Sequence, residues 1–137
     1  MTRVLITGSR SWQPTALVNA ILARLVRRYG HHLVIVHGAC NGVDRTFAVA
    51  CRSQGVADEP HPAAWDKHGK AAGPIRNREM LESGAAFCLA FHPTLATSKG
   101  TGDMVRQVLD AGVSCWWYWS EEGEPKRLKT WGDVTHD

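Results

Sequence analysis

Two short runs in which every residue is apolar, Val4-Leu5-Ile6 and Leu33-Val34-Ile35-Val36, restrict this chain more than any other feature. A strand with one face in water alternates apolar and polar residues. A strand without alternation is buried on both faces, as happens when helices cover both sides of a parallel sheet. Between the two runs, Leu17, Val18, Ile21, Leu22, Leu25, Val26 and Tyr29 recur at helical spacing. Pro14 suits the first turn of that helix and Gly30 closes it.

The alternation continues along the chain. After Gly38-Ala39-Cys40-Asn41-Gly42, Asp44 is placed to cap a helix running through Gln54. A short strand is expected near Ala57-Asp58-Glu59, inside a loop of functional length that extends to Gly73. Pro74 opens a helix to Ser83-Gly84, and Ala86 to Phe91 forms a buried strand. A helix carrying Met104, Val105, Val108 and Leu109 follows, then a last strand from Val113 to Trp119. Strands and helices in this order predict right-handed βαβ units and a Rossmann-like, doubly wound parallel α/β sheet, whose ligand belongs at the carboxyl ends of the strands. The expected organisation is a single domain over residues 1–119 and a polar tail over 120–137, extended or partly disordered.

A chain of 137 residues with 44% hydrophobic content can bury its own core. No apolar stretch approaches the ~18 residues of a membrane span. The N-terminal run is too brief for a signal peptide, so the expected location is cytoplasmic. Cys40, Cys51, Cys88 and Cys115 contain no C-x-x-C pair, so they read as reduced thiols, and no metal or cofactor is implied. The net charge of +3 permits an anionic ligand without indicating DNA.

Three loops that follow strands carry the candidate chemistry. Gly8-Ser9-Arg10-Ser11-Trp12 enters a helix whose free N–H groups suit a phosphate, with Arg10 as a clamp and Trp12 as a stacking face for a base. Gly38 to Asp44 repeats the arrangement, with Gly38 allowing close backbone approach and Gly42 a positive φ, yet it is neither the dinucleotide fingerprint nor a P-loop. Asp44 reads first as a helix cap. Ser98-Lys99-Gly100-Thr101 offers hydroxyls, a lysine and flexible backbone. On the helix after Gly73, Arg76 and Met80 share an inward face, leaving Arg78 and Glu79 to solvent. Arg76→Ala is expected to remove ligand binding with little change in melting temperature.

Taken together, Gly8-Ser9-Arg10, His37-Gly38-x-x-x-Gly42-x-Asp44, Pro62-Ala63-x-Trp65, Gly73-Pro74-Ile75-Arg76-Asn77-x-x-Met80 and Lys99-Gly100-Thr101 resemble the YspA-related branch of the SLOG superfamily, from Thr2 to about Trp119. The resemblance implies a Rossmann-like fold and a site for a nucleotide or ADP-ribose-like ligand lined by Gly8, Ser9, Arg10, Gly38, Gly42, Arg76, Asn77, Lys99, Gly100 and Thr101. Its relatives include the LOG phosphoribohydrolases, which pair an arginine with the glutamate of a P-G-G-x-G-T-x-x-E motif, and DprA, which binds single-stranded DNA. Arg76 matches that arginine, but Met104 stands at the glutamate position and Thr97-Ser98 replace the two glycines. Hydrolysis would therefore need Arg76 with a substitute carboxylate, Asp103 one position away or Asp44.

Three functions follow as expectations: a sensor or sequestering module for a nucleotide-derived ligand, with Trp12 or Trp65 against the base; a LOG-like phosphoribohydrolase; and DprA-like binding of single-stranded DNA. The last is prompted by Arg76-Asn77-Arg78 and by the aromatic run Trp116-Trp117-Tyr118-Trp119. In a strand, however, alternate rings of that run pack a core or a subunit interface. One pair of rings must then be covered by a helix, by the tail or by a second copy in a homodimer.

Overall fold

The computed structural model describes residues 1–135. Strand β1 (Thr2–Gly8) lies inside a six-stranded sheet, between β2 (Leu33–His37) and β4 (Phe87–Phe91). The spatial order is β3 (Ala57–Pro60), β2, β1, β4, β5 (Cys115–Tyr118), β6 (Lys126–Leu128). The first five strands run parallel, and β6 pairs antiparallel with β5. The chain steps outward from β1 to β3 and then returns to the other side of β1 to lay down β4. This reversal opens a crevice at the carboxyl ends of β1 and β4, where doubly wound sheets bind ligands.

The apolar runs fill two cores at once. Val4, Ile6, Leu33 and Ile35 pack with Val18, Ile21 and Leu22 of α1 (Thr15–Tyr29) and with Val43 and Phe47 of α2 (Val43–Gln54). Their neighbours Leu5, Val34 and Val36 face the opposite way, against Met80 of α4 (Ala72–Glu82) and Met104, Val105 and Val108 of α5 (Gly100–Asp110). The one-turn helix α3 (Trp65–His68) lies in the long connection before α4. No described helix is long and apolar enough to cross a membrane.

Three local expectations are corrected. Helix α2 has Gly42 rather than Asp44 at its cap, because the Asp44 carboxylate turns back to the preceding loop and accepts bonds from Gly38 N–H (3.1 Å) and Cys40 N–H (3.3 Å). Helix α4 begins at Ala72, with Pro74 inside its first turn, where a missing N–H costs nothing. The segment after Trp119 is not simply an extended tail: β6 supplies hydrogen-bonding partners to β5, and Leu128 and Val134 are buried against Trp117. The tail positions 136–137 lie outside the described residues.

That C-terminal segment also answers the question posed by the aromatic strand. Trp117 and Trp119 join the core beneath Leu128, Val134 and Trp131, while Trp116 and Tyr118 face the α1 side. Tyr118 stacks on Phe91 at 4.8 Å and Trp116 stands edge-on to Phe87 at 6.0 Å. The rings pack the sheet.

Candidate functional site

At the crevice between β1 and β4 lies a cavity of about 290 Å³. Its walls come from the end of β1 (Gly8, Ser9, Arg10), the loop before α2 (Gly38, Cys40), Asp44, α4 (Arg76, Asn77, Met80), His92 after β4, and Ser98 to Thr101 at the start of α5. Backbone bonds hold these loops together. Ser9 N–H donates to Phe91 O at 2.9 Å, fixing the β1 loop to the end of β4, and Val43 N–H donates to Ser9 O at 3.0 Å, fixing the start of α2 to the same loop. Gly42, at φ 78°, makes that junction possible: a Cβ there would lie 2.3 Å from Ser9 O. Gly38 is required by close approach, because a Cβ would meet the Arg76 guanidinium at 2.6 Å.

Arg76 is buried, with 7% exposure, and ties three segments together. Its Nη1 donates to Gly38 O (2.6 Å) and His61 O (3.3 Å), and its Nε donates to Asn77 Oδ1 (3.0 Å). Asn77 Nδ2 in turn donates to Gly100 O (3.3 Å) and Asp103 Oδ2 (3.0 Å). Arg78 and Glu79 are exposed, as the helix phase predicts.

Asp44 has 5% exposure. Burial pushes its carboxyl above the usual carboxylate range, opposed by His37, the Cys40 and Gly38 N–H groups and Arg76. Oδ2 carries both loop bonds, whereas Oδ1 is buried and, among the described residues, accepts no hydrogen bond. His92 is held below its ordinary range by burial. Its Nδ1 accepts from Thr94 N–H at 3.0 Å, which leaves the ring proton on Nε2. Lys99 precedes α5, and Gly100 and Thr101 form its first turn, where N–H groups lack intrahelical partners and the helix end carries partial positive charge.

The structure thus brings together Gly8, Ser9, Arg10, Gly38, Asp44, Arg76, Asn77, Lys99, Gly100 and Thr101 on one cavity. Three candidates lie elsewhere. Trp12 packs against the α1 core, and Gly42 shapes the cavity from behind its wall. Asp103 faces a groove between α4 and α5, where Asn77 and Gln107 (2.8 Å) donate to the same carboxylate oxygen. Met104, at the LOG glutamate position, is fully buried in the core. Cys40, read in sequence as a reduced thiol, and His92, for which the sequence suggests no role, do line the cavity. Beside it lies a recess of about 330 Å³ formed by Ala39, Asn41, Pro62, Ala63 and Trp65, which shares Arg10, Gly38, Cys40 and Arg76 with the cavity. Trp65 is 46% exposed there, with the Arg10 guanidinium 5.5 Å from its ring centroid.

Comparisons with known proteins bear on the fold and the family. DNA processing protein A (DprA) from Streptococcus pneumoniae has the same fold, with a TM-score of 0.64 at 16% identity, over 85% of this chain and 50% of that one. The chain therefore spans only half of that protein's length. Gene 61 protein of Mycobacterium phage D29 is 43% identical over 118 residues, covering 82% of this chain and 93% of that protein. The family model for the YspA, cpYpsA-related SLOG family matches residues 2–68, the stretch that contains the Gly8 loop, the Gly38–Asp44 loop and Trp65. The chain belongs to the YspA, cpYpsA-related SLOG family.

Proposed function

We propose that the cavity binds a phosphorylated nucleotide or nucleotide-derived, ADP-ribose-like ligand, and that the chain acts as a sensor or sequestering module for it. One observation carries this reading. The Ser9-Arg10 loop and the Lys99-Gly100-Thr101 helix start line the same cavity at the strand-order reversal, so two cations and first-turn N–H groups are available to one anionic group. Trp65, rather than Trp12, is the aromatic face within reach of a base.

Binding without turnover is favoured by the core position of Met104 and by the outward placement of Asp103. A second reading, release of the base from a nucleoside 5′-monophosphate, has one observation behind it. Asp44 places a buried carboxyl on the cavity wall, where it would be the acid or the charge stabiliser beside Arg76.

The test is a thermal-shift and calorimetry screen of the purified protein against AMP, ADP-ribose, cyclic nucleotides and NAD, with product analysis of each hit. At a hundred times Kd, a ligand specific for the native state contributes about 2.7 kcal/mol, enough to raise Tm by about 10 °C in a domain of this size. A stabilising ligand recovered intact supports the sensor, and a released base supports the hydrolase. Failure of every nucleotide, with salt-sensitive retention of a labelled oligonucleotide, would replace both with single-stranded DNA binding.

A further inference from the structure

We infer that Asp44 is the sugar-reading residue of this site, with Oδ1 receiving a free ribose hydroxyl of the ligand; this rests on the nucleotide-binding reading above. A buried polar atom without a partner is costly, and native proteins keep few of them. Asp44 Oδ1 is such an atom, on a side chain with 5% exposure whose other oxygen is already committed to two backbone N–H groups. Asp44 is among the residues that line the cavity, so a ligand there can supply the missing partner.

The position of Asp44 says which part of the ligand that is. The cavity holds the anion-binding groups, and the recess holds the aromatic face of Trp65. Gly38 and Cys40 border both compartments, and Asp44 hydrogen-bonds to the backbone N–H of each. Asp44 therefore sits at the seam between the phosphate-binding end and the base-binding end. The group that joins phosphate to base in a nucleotide is the sugar. The two compartments, about 290 and 330 Å³, individually lie at the small end of ligand pockets and together fall well inside the usual range.

A hydroxyl also fits better than the alternatives. With Oδ2 occupied by two donors, a proton on this carboxyl would reside on Oδ1, making it a donor, whereas the ionised carboxylate offers only lone pairs. A hydroxyl both donates and accepts, so it meets Oδ1 in either state. A phosphate oxygen would match only the protonated form and an amine only the ionised one.

Calorimetric titration of the whole chain with AMP, 2′-deoxy-AMP and 3′-deoxy-AMP tests this, alongside the same titrations of Asp44→Asn. In the variant, Oδ1 of the amide can keep the Gly38 and Cys40 bonds while the NH₂ group replaces the oxygen that has no partner. The expected result is that one deoxy ligand binds the native protein about ten- to a hundredfold more weakly than AMP, and that this ratio shrinks towards one in D44N. Equal binding of all three ligands to the native protein overturns the assignment, as does a ratio that persists in D44N. Either result leaves nucleotide binding intact. Failure of AMP, ADP-ribose, the cyclic nucleotides and NAD alike to bind the native protein would instead overturn the underlying reading and this inference with it. The native-protein comparison decides the question even if D44N fails to fold.

Discussion

Arg76 shows how a residue predicted for binding can be equally structural. Its bonds to Gly38 O and His61 O are buried or part-buried, and its removal would leave those carbonyls without their guanidinium donor. Arg76→Ala is therefore expected to destabilise the fold by about 2–4 kcal/mol in urea denaturation, instead of leaving Tm nearly unchanged. Glu59 makes a second residue-scale prediction. Hydrogen bonds from Arg3 and His61 lower its carboxyl from an ordinary 4.5 to about 2. A depressed carboxylate contributes stability above the unfolded value and loses it as pH falls towards the folded one. Stability should thus decline on acidification from about 4.5 to 2, and Glu59→Gln should flatten that part of a pH series of denaturant midpoints. That Ser9, Arg10 and Lys99 line one cavity was legible in the sequence because glycine and hydroxyl residues cluster after apolar runs. The sequence left open which of Trp12 and Trp65 meets the site, since ring direction is set by tertiary packing, which turns Trp12 towards α1 and Trp65 towards the recess.

The start of α5 and the C-terminal strand are the elements whose roles separate most cleanly. Lys99 is exposed and precedes α5, so Lys99→Glu should weaken binding of an anionic nucleotide by about tenfold through charge reversal at the helix end, with Tm changed by little. Calorimetry and a melting curve on the same sample read the two effects. Leu128 has the opposite character: it is 2% exposed and covers Trp117. Leu128→Ala should cost about 2–4 kcal/mol by urea denaturation, while the affinity of the refolded or residual native protein stays unchanged. Strands β1, β2, β4 and β5 were legible because their apolar runs exceed what a half-buried strand needs, whereas β3, Ala57–Pro60, is an exposed edge strand with no such run. β6 was not legible, because Lys126-Arg127-Leu128 follows an acidic, glycine-containing stretch and has only one apolar residue to mark it.

At the scale of the whole molecule, the strand order places every loop that matters. Because β4 crosses to the far side of β1, the Gly8 loop, the Gly38 loop and the α5 start converge, although the first and last are separated by roughly ninety residues in sequence. Doubly wound topology predicts that convergence. Which carboxylate would face the ligand depends on the rotation of α5, and that phase places Asp103 in the groove against α4 and leaves Asp44 on the cavity. The most direct test of the account is an NMR titration of ¹⁵N-labelled protein with AMP and ADP-ribose. The expected result is saturable shifts concentrated on the amides of Ser9, Arg10, Gly38, Gly100 and Thr101 and on the Trp65 indole. Saturable shifts concentrated away from this crevice, or none from a folded protein at millimolar ligand, would contradict it.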